Sequence, residues 1–513
     1  MLIKVPSASN SGLETIGIDV EVNVASRGLP AFEIVGLPNK AVDESKERVK
    51  TAIVNSNIKF PRRKITVNLA PADVPKEGSF YDLPIAMGIL SIVMECNLPE
   101  KSLFFGELSL DGTLRHTKGA LLLSLFAREK GIENIFVPKA SANEAAIIKG
   151  VNVYPVESLN QLLSYFSGQE QMEPAQYQEA KDDWIGTQAE FDMFEVLGQE
   201  QAKRAMEISA AGGHNLFMIG SPGSGKTMLA RALPGILPSL SEEESLEVTK
   251  IYSASGRIPP EGSLVKTRPF RVPHHTISQV GLIGGGTKPQ PGEVSLAHRG
   301  VLFLDEFSEF PRSVMEALRQ PMEDGILTIS RSREKVSYPS RFILIASANP
   351  CPCGYSYHPK KACVCTRRET EKYRKKVSGP ISDRIDLHVE VPVVDIKKLS
   401  EDKQLKSSLE SSAEMRKKVV SAREIQSERF ETEKIHTNSE MKNSHIRKYC
   451  HVSKEVKQLL TQAGAKFQIS ARSYYKMIKV ARTIADLGGL KDIAVSHMAE
   501  ALQYRPRIQE GDV

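Results

Sequence analysis

Residues Gly220 to Thr227 read Gly-Ser-Pro-Gly-Ser-Gly-Lys-Thr. They match the phosphate-loop pattern G-x-x-x-x-G-K-[ST] at every fixed position. The pattern dictates local structure. The apolar run Leu216 to Ile219 before it predicts a short buried strand, and Met228 to Leu233 after it predicts the first turns of a helix. A strand, a glycine-rich loop and a helix start gather backbone N–H groups into an anion site. Gly220, Ser221, Pro222, Gly223, Ser224, Gly225, Lys226, Thr227 and Met228 are therefore the candidate nucleotide-binding residues. Lys226 is expected to reach the β/γ-phosphates, and the Thr227 hydroxyl to hold Mg²⁺.

A phosphate loop needs partners, and two further strands supply them. Val301-Leu-Phe-Leu-Asp305-Glu306 is an apolar run ending in two acids. Asp305 suits Mg²⁺ coordination, and Glu306 suits orientation and deprotonation of an attacking water. Arg341-Phe-Ile-Leu-Ile-Ala-Ser-Ala-Asn349 is a third apolar run with a polar end. Asn349 is expected beside the γ-phosphate, helping to hold the water. Three strands that each deliver a polar residue at the C-terminal end describe a parallel α/β nucleotide-binding sheet.

The chain of 513 residues has room for three or four domains. No apolar run approaches the roughly 18–20 residues that span a bilayer. Met1-Leu-Ile-Lys-Val-Pro lacks a basic region followed by an apolar core, so a cytoplasmic protein without a membrane partner is expected. The net charge of +6 is compatible with nucleic acid. Four of the six cysteines crowd into 351–365. Cys351-Pro-Cys353 and Cys363-Val-Cys365 form two close pairs on one short loop, a spacing that suits four thiolates around structural Zn²⁺. His358 is a possible substitute ligand.

In chain order, residues 1–166 read as an α/β domain. Ile16 to Val24 alternates as a strand, Ala41 to Asn55 reads as an amphipathic helix and Ile65 to Ala70 as a strand. Asp82 to Met94 and Ala120 to Lys130 read as helices, and 135–137 and 151–154 as short buried strands. Residues 167–190, polar and containing the only Trp (Trp184), are expected to be a linker. The segment 191–395 is the nucleotide-binding core, with Gln199 expected over the base. Arg268 to Glu293 contains His274, His275 and a glycine- and proline-rich run, and predicts a mobile loop in which the histidines are structural or near DNA. Val314 to Met322 predicts a helix. Arg331, Arg333 and Lys335 sit between two strand-like runs, as the basic tip of a hairpin. Lys360 to Lys376 holds eight Lys/Arg against two Glu, either a solvated face or a DNA-facing surface. Residues 396–513 are charged and helical, as a lid.

Two resemblances follow from these motifs. The N-terminal stretch resembles the Lon-protease-like domain through Pro75-Lys76-Glu77-Gly78 and Gly106-Glu107-Leu108-Ser109-Leu110-Asp111-Gly112. Matching residue by residue places Phe80 at the serine position and Leu121 at the lysine position, so the resemblance implies the fold without the Ser/Lys dyad of a peptidase. The whole chain resembles the magnesium-chelatase-like AAA+ ATPases of the ComM/YifB type. The residues that carry this are G-S-P-G-S-G-K-T, the P-H-H-T loop, V-L-F-L-D-E, the C-P-C-G/C-V-C cluster, D-R-I-D-L and S-A-R. The resemblance implies a Lon-like domain at 1–166, an AAA+ core at 191–395 with a zinc-binding insertion at 351–365, and a helical lid at 396–513. It implies ATP and Mg²⁺, and a homo-hexamer with sites at subunit interfaces. Arg384 then matches the arginine finger reaching a neighbour's site, and Arg472 the lid arginine on the γ-phosphate. DNA, single-stranded or branched, is the implied partner, in helicase or branch-migration work during recombination, with recombination proteins as further partners. Arg331, Arg333 and Lys335 would face the pore. The alternatives are a chelatase motor subunit, a protein-remodelling ATPase and a non-catalytic scaffold.

Overall fold

In the computed structural model of the chain, all residues are described except 75, 77, 179–188, 260–263, 287–288, 331–334, 377–378, 395–409 and 507–513. The protein is multidomain α/β, with a parallel sheet and a C-terminal helical region. Two compact units share the chain without being contiguous in it. One comprises Met1–Trp184, Glu242–Val265 and Ser330–Tyr338; the other comprises Ile185–Ser241, Lys266–Ile329 and Pro339–Val513.

The first unit holds a four-stranded sheet of β1 (Leu2–Ser11), β2 (Glu14–Val24), β3 (Ala31–Val35) and β4 (Lys64–Ala70), in the order β1-β2-β4-β3. β1 and β2 form a continuous antiparallel pair from Leu2 opposite Asn23 to Ser11 opposite Glu14. Only β3 runs parallel to its neighbour. The predicted helix over 41–55 is two pieces, Lys40–Asp43 and α1 (Ser45–Asn55), meeting at Glu44. The nearly uniform apolar composition of α2 (Asp82–Met94) marks a helix buried all round over Asp82 to Ser91 and exposed at its last turn. Gly88 allows its close approach to the sheet, since a Cβ there would lie 2.4 Å from Val22 Cγ2. At its first turn the fully buried Asp82 accepts from Arg48 Nε at 2.7 Å, from Arg48 Nη2 at 3.1 Å and from Leu108 N at 3.2 Å. A buried carboxylate costs several kcal/mol unless paired this completely.

A second sheet in this unit consists of β5 (Ser102–Phe104), β6 (Asn134–Pro138) and β7 (Asn152–Val156), all parallel, with α3 (Ala120–Lys130). Phe80 stacks on Phe105 at 4.5 Å, and Leu121 is fully buried. Both positions of the missing dyad are thus filled by packed apolar side chains, and the Ser79 hydroxyl donates to Glu107. Part of the expected linker is pinned to this unit: Ala175 N donates to Val153 O at 2.7 Å, and Asn143 and Gln178 exchange bonds of 3.1 and 3.0 Å. Trp184 lies outside the described residues.

The second unit is built on five parallel strands: β8 (Leu216–Ile219), β9 (Phe270–Arg271), β10 (Val301–Leu304), β11 (Ile343–Ala348) and β12 (Leu387–Glu390), in the order β9-β10-β11-β8-β12. The three central strands β10, β11 and β8 are nearly continuous apolar runs because both faces are covered. Leu216, Met218, Val301, Phe303, Ile343 and Ile345 face one core. Phe217, Leu302, Leu304, Leu344 and Ala346 face the other. The first core continues into the C-terminal helices α7 (Ser412–Arg429), α8 (Lys454–Phe467), α9 (Ala471–Leu487) and α10 (Val495–Gln503), so the helical region and the sheet share one interior. Three helices precede these in the chain: α4 (Glu200–Gly212), α5 (Lys226–Ala232) and α6 (Arg367–Arg374). The single helix expected over 314–322 is two, Arg312–Ala317 and Arg319–Asp324. Pro321 has no N–H to donate to the Ala317 carbonyl, which breaks the helix at Leu318.

Candidate nucleotide site

The second unit delivers its polar residues to one edge of the sheet. β8 ends at Ile219, and Gly220 N donates to Ala348 O at 3.2 Å, tying the start of the loop to β11. No side chain fits at Gly220, because a Cβ would lie 2.3 Å from Val391 O. Gly225, at φ +92°, turns the chain into α5 through a conformation that disfavours any Cβ. Lys226 is 8 % exposed, and its Nζ donates to Gly220 O at 2.7 Å and Ser221 O at 3.0 Å, with Asn349 Oδ1 at 3.5 Å. Burial lowers its pKa, against the raising influence of Asp305 and Glu306. Thr227 Oγ1 donates to Asp305 Oδ2 at 2.9 Å. The expected partners from three separate strands thus meet at one place.

The remaining loop residues divide by role. Ser221 and Ser224 are buried with hydroxyls that have no hydrogen-bond partner, and the Gln199 Oε1 is likewise unpartnered. Such orphaned polar atoms around a glycine loop suit a polar ligand. Gln199 Nε2 donates to Ser224 O at 3.1 Å and Pro392 O at 2.7 Å, which fixes the loop. Met228 is half-buried and packs on the core shared with the helices. Gly223 is exposed with φ +75°. Pro222 touches the cysteine loop: a Cβ on Gly354 would lie 2.7 Å from its ring.

Sequence reasoning missed Ser347. Its hydroxyl donates to Asp305 Oδ1, which also accepts from Glu306 N at 3.0 Å. The signal was present, since Ser347 is a polar residue inside an otherwise apolar strand. Glu306 is 57 % exposed and holds φ +52°, a left-handed conformation uncommon for a residue with a Cβ. His274 and His275 lie just beyond β9. Their ring centroids are 4.1 Å apart with the planes tilted by 33°, and His275 Nδ1 lies 3.5 Å from Glu306 Oε2.

Arg384 and Arg472 converge on each other. Arg384 Nη2 pairs with one oxygen of Glu323, and Arg472 Nη2 lies 3.4 Å from the other. The Arg384 bond, chiefly, lowers the Glu323 pKa. The turn carrying Arg384 is anchored at the root of β8. Asn215 Nδ2 donates to Arg384 O at 3.3 Å, and Asn215 Oδ1 accepts from Leu344 N at 2.8 Å. His214 Nδ1 lies 3.3 Å from Asp386 Oδ2, and Lys476 Nζ of α9 donates to Ile385 O at 2.8 Å.

The four cysteine sulfurs lie within 4.8 Å of one another, with Cys351–Cys353, Cys353–Cys363 and Cys351–Cys363 separations of 3.4, 3.5 and 3.7 Å. A tetrahedral ion with bonds of about 2.3 Å places sulfurs roughly 3.8 Å apart, so the donor set fits Zn²⁺. Backbone N–H groups of Tyr355 and Val364 lower Cys353 to about 6. The Cys353 N–H favours the Cys365 thiolate too, but desolvation and the neighbouring sulfurs outweigh it and push Cys365 up to about 12. A divalent cation resolves this conflict by ionising all four. His358 Nδ1 instead accepts from Lys360 N and Lys361 N at 3.1 and 2.9 Å. Of the expected DNA residues, Arg331 and Arg333 lie outside the described residues. Lys335 is exposed at the start of the strand Lys335–Pro339.

A parallel sheet with a phosphate loop, an adjoining Asp-Glu pair and a helical region on the same core defines a P-loop nucleotide-binding protein of the AAA+ class. The family described as magnesium chelatase, subunit ChlI, matches residues 192–399, its further ChlI region matches 20–141, and its C-terminal region matches 409–505. The chain belongs to this family, whose members bind ATP and Mg²⁺. Competence protein ComM of Haemophilus influenzae is 40 % identical over 511 residues, covering 98 % of this chain and 97 % of that protein. Protein YifB of Salmonella typhimurium is 42 % identical over 497 residues, covering 96 % and 95 %. The magnesium-chelatase 38 kDa subunit of Rhodobacter capsulatus is 26 % identical over 183 residues, covering 32 % and 51 %. Among the described residues no helix is long and apolar enough to cross a membrane.

The Ser347 bond generates a prediction. A group that orients a metal ligand typically accounts for 10–100-fold in affinity. Ser347→Ala should raise the Mg²⁺ concentration for half-maximal ATPase by about 10-fold, with kcat recovering at saturating Mg²⁺. An unchanged Mg²⁺ titration would show that Asp305 needs no such support.

Proposed function

We propose that the chain is an ATP-driven motor that assembles as a ring of six and acts on DNA, single-stranded or branched, in strand displacement or branch migration during recombination of incoming DNA. The observation that carries this reading is the convergence of Lys226, Thr227, Asp305 and Asn349, in a chain that aligns over 98 % of its length with a competence protein. Recombination proteins are its natural companions, and the cytoplasm its place of work.

The roles follow from chemistry. The loop N–H groups and Lys226 bind the triphosphate. Thr227 and Asp305 offer adjacent oxygens for Mg²⁺, which supplies charge neutralisation on the phosphates when bound. Glu306 takes the proton of the attacking water, and Asn349 helps to orient that water. Arg384 serves the neighbouring subunit's nucleotide, and Arg472 the γ-phosphate. Glu323 holds the two arginines in one place, ready for a more strongly charged partner.

DNA has two candidate contacts. One is the tip Arg331 to Lys335. The other is the basic run beside the cysteine loop, where α6 is closed at its start by a capping box between Thr366 and Glu369. Arg368, Lys372 and Lys375 are exposed there. Cys351, Cys353, Cys363 and Cys365 hold structural Zn²⁺ that fixes this run against the phosphate loop through Gly354 and Pro222. The second reading is a chelatase motor subunit, favoured by the family itself; it predicts no response to DNA.

Three outcomes test these assignments. Glu306→Gln should keep nucleotide binding and lose turnover by at least about 100-fold, since only proton transfer is removed. Turnover near the parent's would end the assignment. Single-stranded DNA should stimulate ATPase in a manner that weakens steeply with salt. A rate indifferent to DNA at low salt would favour the chelatase reading. Protein purified without chelators should carry about one zinc per chain, as four thiolates require, lost in the Cys351→Ser, Cys363→Ser double variant. Metal-free parent protein would contradict the zinc site.

A further inference from the structure

The sheet order of the first unit gathers cations at one end. β2 and β3 lie on either side of β4, so the link between them, residues 25–30, must cross in front of the start of β4. The register fixes where. Val24 lies opposite Ile65, Ala25 N donates to Lys64 O at 2.9 Å, and Ala31 lies opposite Lys64. The residues that lead into β4 emerge at the same place. Residues 25–31 and 56–64 together carry Arg27, Lys59, Arg62, Arg63 and Lys64, and no acid.

All five cations are exposed. Lys64 meets Glu33 of β3 at 3.1 Å. Arg27, Lys59, Arg62 and Arg63 make no ion pair among the described residues. The outer face of the same sheet is balanced by contrast: Lys4 lies 3.0 Å from Glu21, which also accepts from Asn68 Nδ2 at 2.9 Å. Gathered like charges repel one another and work against the fold, and a polyanion relieves that repulsion. The segment before β4 is also anchored. Ile58 N donates to Ile53 O at 3.3 Å, and the Phe60 ring lies 5.9 Å from that of Phe32, both packed against the core. Pro61 fixes its own φ and restricts Phe60 before it. The arginines are therefore presented from an ordered backbone, which lowers the entropy lost on binding.

We propose that this end of the first unit binds the phosphate backbone of DNA through Arg27, Lys59, Arg62 and Arg63. The inference rests on the reading of the chain as a DNA motor, and the contact is distinct from Arg331 to Lys335 and from the basic run on α6. A guanidinium without an acidic partner offers a planar fork that matches two phosphate oxygens. A lipid surface would instead ask for apolar side chains turned outward. Of the large apolar residues in the two segments only Leu29 is exposed, at 87 %, while Phe60 is turned onto Phe32 and the core.

The test is a titration of labelled oligo-dT, read by fluorescence anisotropy at several salt concentrations. It compares the full chain with the Arg27→Ala, Arg62→Ala, Arg63→Ala variant and with the variant carrying Lys at the same three positions. The Ala variant should bind at least about 10-fold more weakly at low salt, with the slope of log affinity against log salt reduced by about two, as three lost contacts to a single strand require. The Lys variant keeps the charges and should keep the parent's slope. An Ala variant with the parent's affinity and slope overturns the proposal, as does a Lys variant with the slope of the Ala variant. Loss of binding to phosphatidylserine vesicles in the Ala variant, with DNA binding intact, also overturns it and assigns the surface to lipid. A parent chain that binds no DNA contradicts the motor reading and this inference together, whereas a parent that binds DNA no better than the Ala variant contradicts this inference alone.

Discussion

A buried ammonium group organises the second unit. Taking a lysine out of water costs several kcal/mol, and Lys226 recovers part of this from two carbonyls of its own loop. The loop can lie where it does only because Gly220 has no side chain to meet Val391 O, and it turns into the helix through Gly225 at φ +92°. The loop is in turn held by Ala348 O at one end and Gln199 at the other. Burial lowers the Lys226 pKa, so the charge is strained while its partners are neutral carbonyls. A triphosphate is the counter-charge this site is shaped to take, and the sheet order places Asp305 and Asn349 on strands beside it.

The same unit extends that order outward. Asp486, fully buried as a side chain, accepts from Arg429 at 2.8 Å, Arg482 at 3.1 Å and Asn438 at 2.7 Å. Asn438 also donates to Thr483 Oγ1 at 3.0 Å, which lies 2.9 Å from His214 Nε2. His214 then meets Asp386 and thereby the turn of Arg384. Helices α7 and α9 are therefore joined by polar contacts to the root of β8, whose other end is the phosphate loop. The turn that carries Arg384 is thereby bonded both to the helical region and to the residues that open β8.

Much of this was legible in the sequence where one residue type answers one physical demand. The phosphate loop was readable because glycine, lysine and threonine at fixed spacing have few other uses. β8 and β10 were readable because their short apolar runs abut the phosphate loop and the Asp-Glu pair, and α2 and α3 because their apolar runs are long and bounded. The Ser347 bond, the Glu306–His275 contact and the shared Glu323 were not readable, because each joins residues far apart in the chain through side chains common in any protein. Pro321 could have divided the helix at Leu318 from sequence alone. The pairing of neighbouring histidine rings could not, since it depends on the turn that His274 makes with Ile277.

The proposed function turns on hydrolysis assembled across subunits, with Arg384 completing a neighbour's site. An Arg384→Ala chain keeps its own loop, and a Lys226→Ala chain keeps its own finger. The deciding measurement is the ATPase rate of the two variants mixed, after sizing has shown that subunits exchange. The account predicts that neither variant turns over alone and that the mixture regains a substantial fraction of activity, because some interfaces pair an intact loop with an intact finger. A mixture as inactive as its components, with exchange demonstrated, would contradict it.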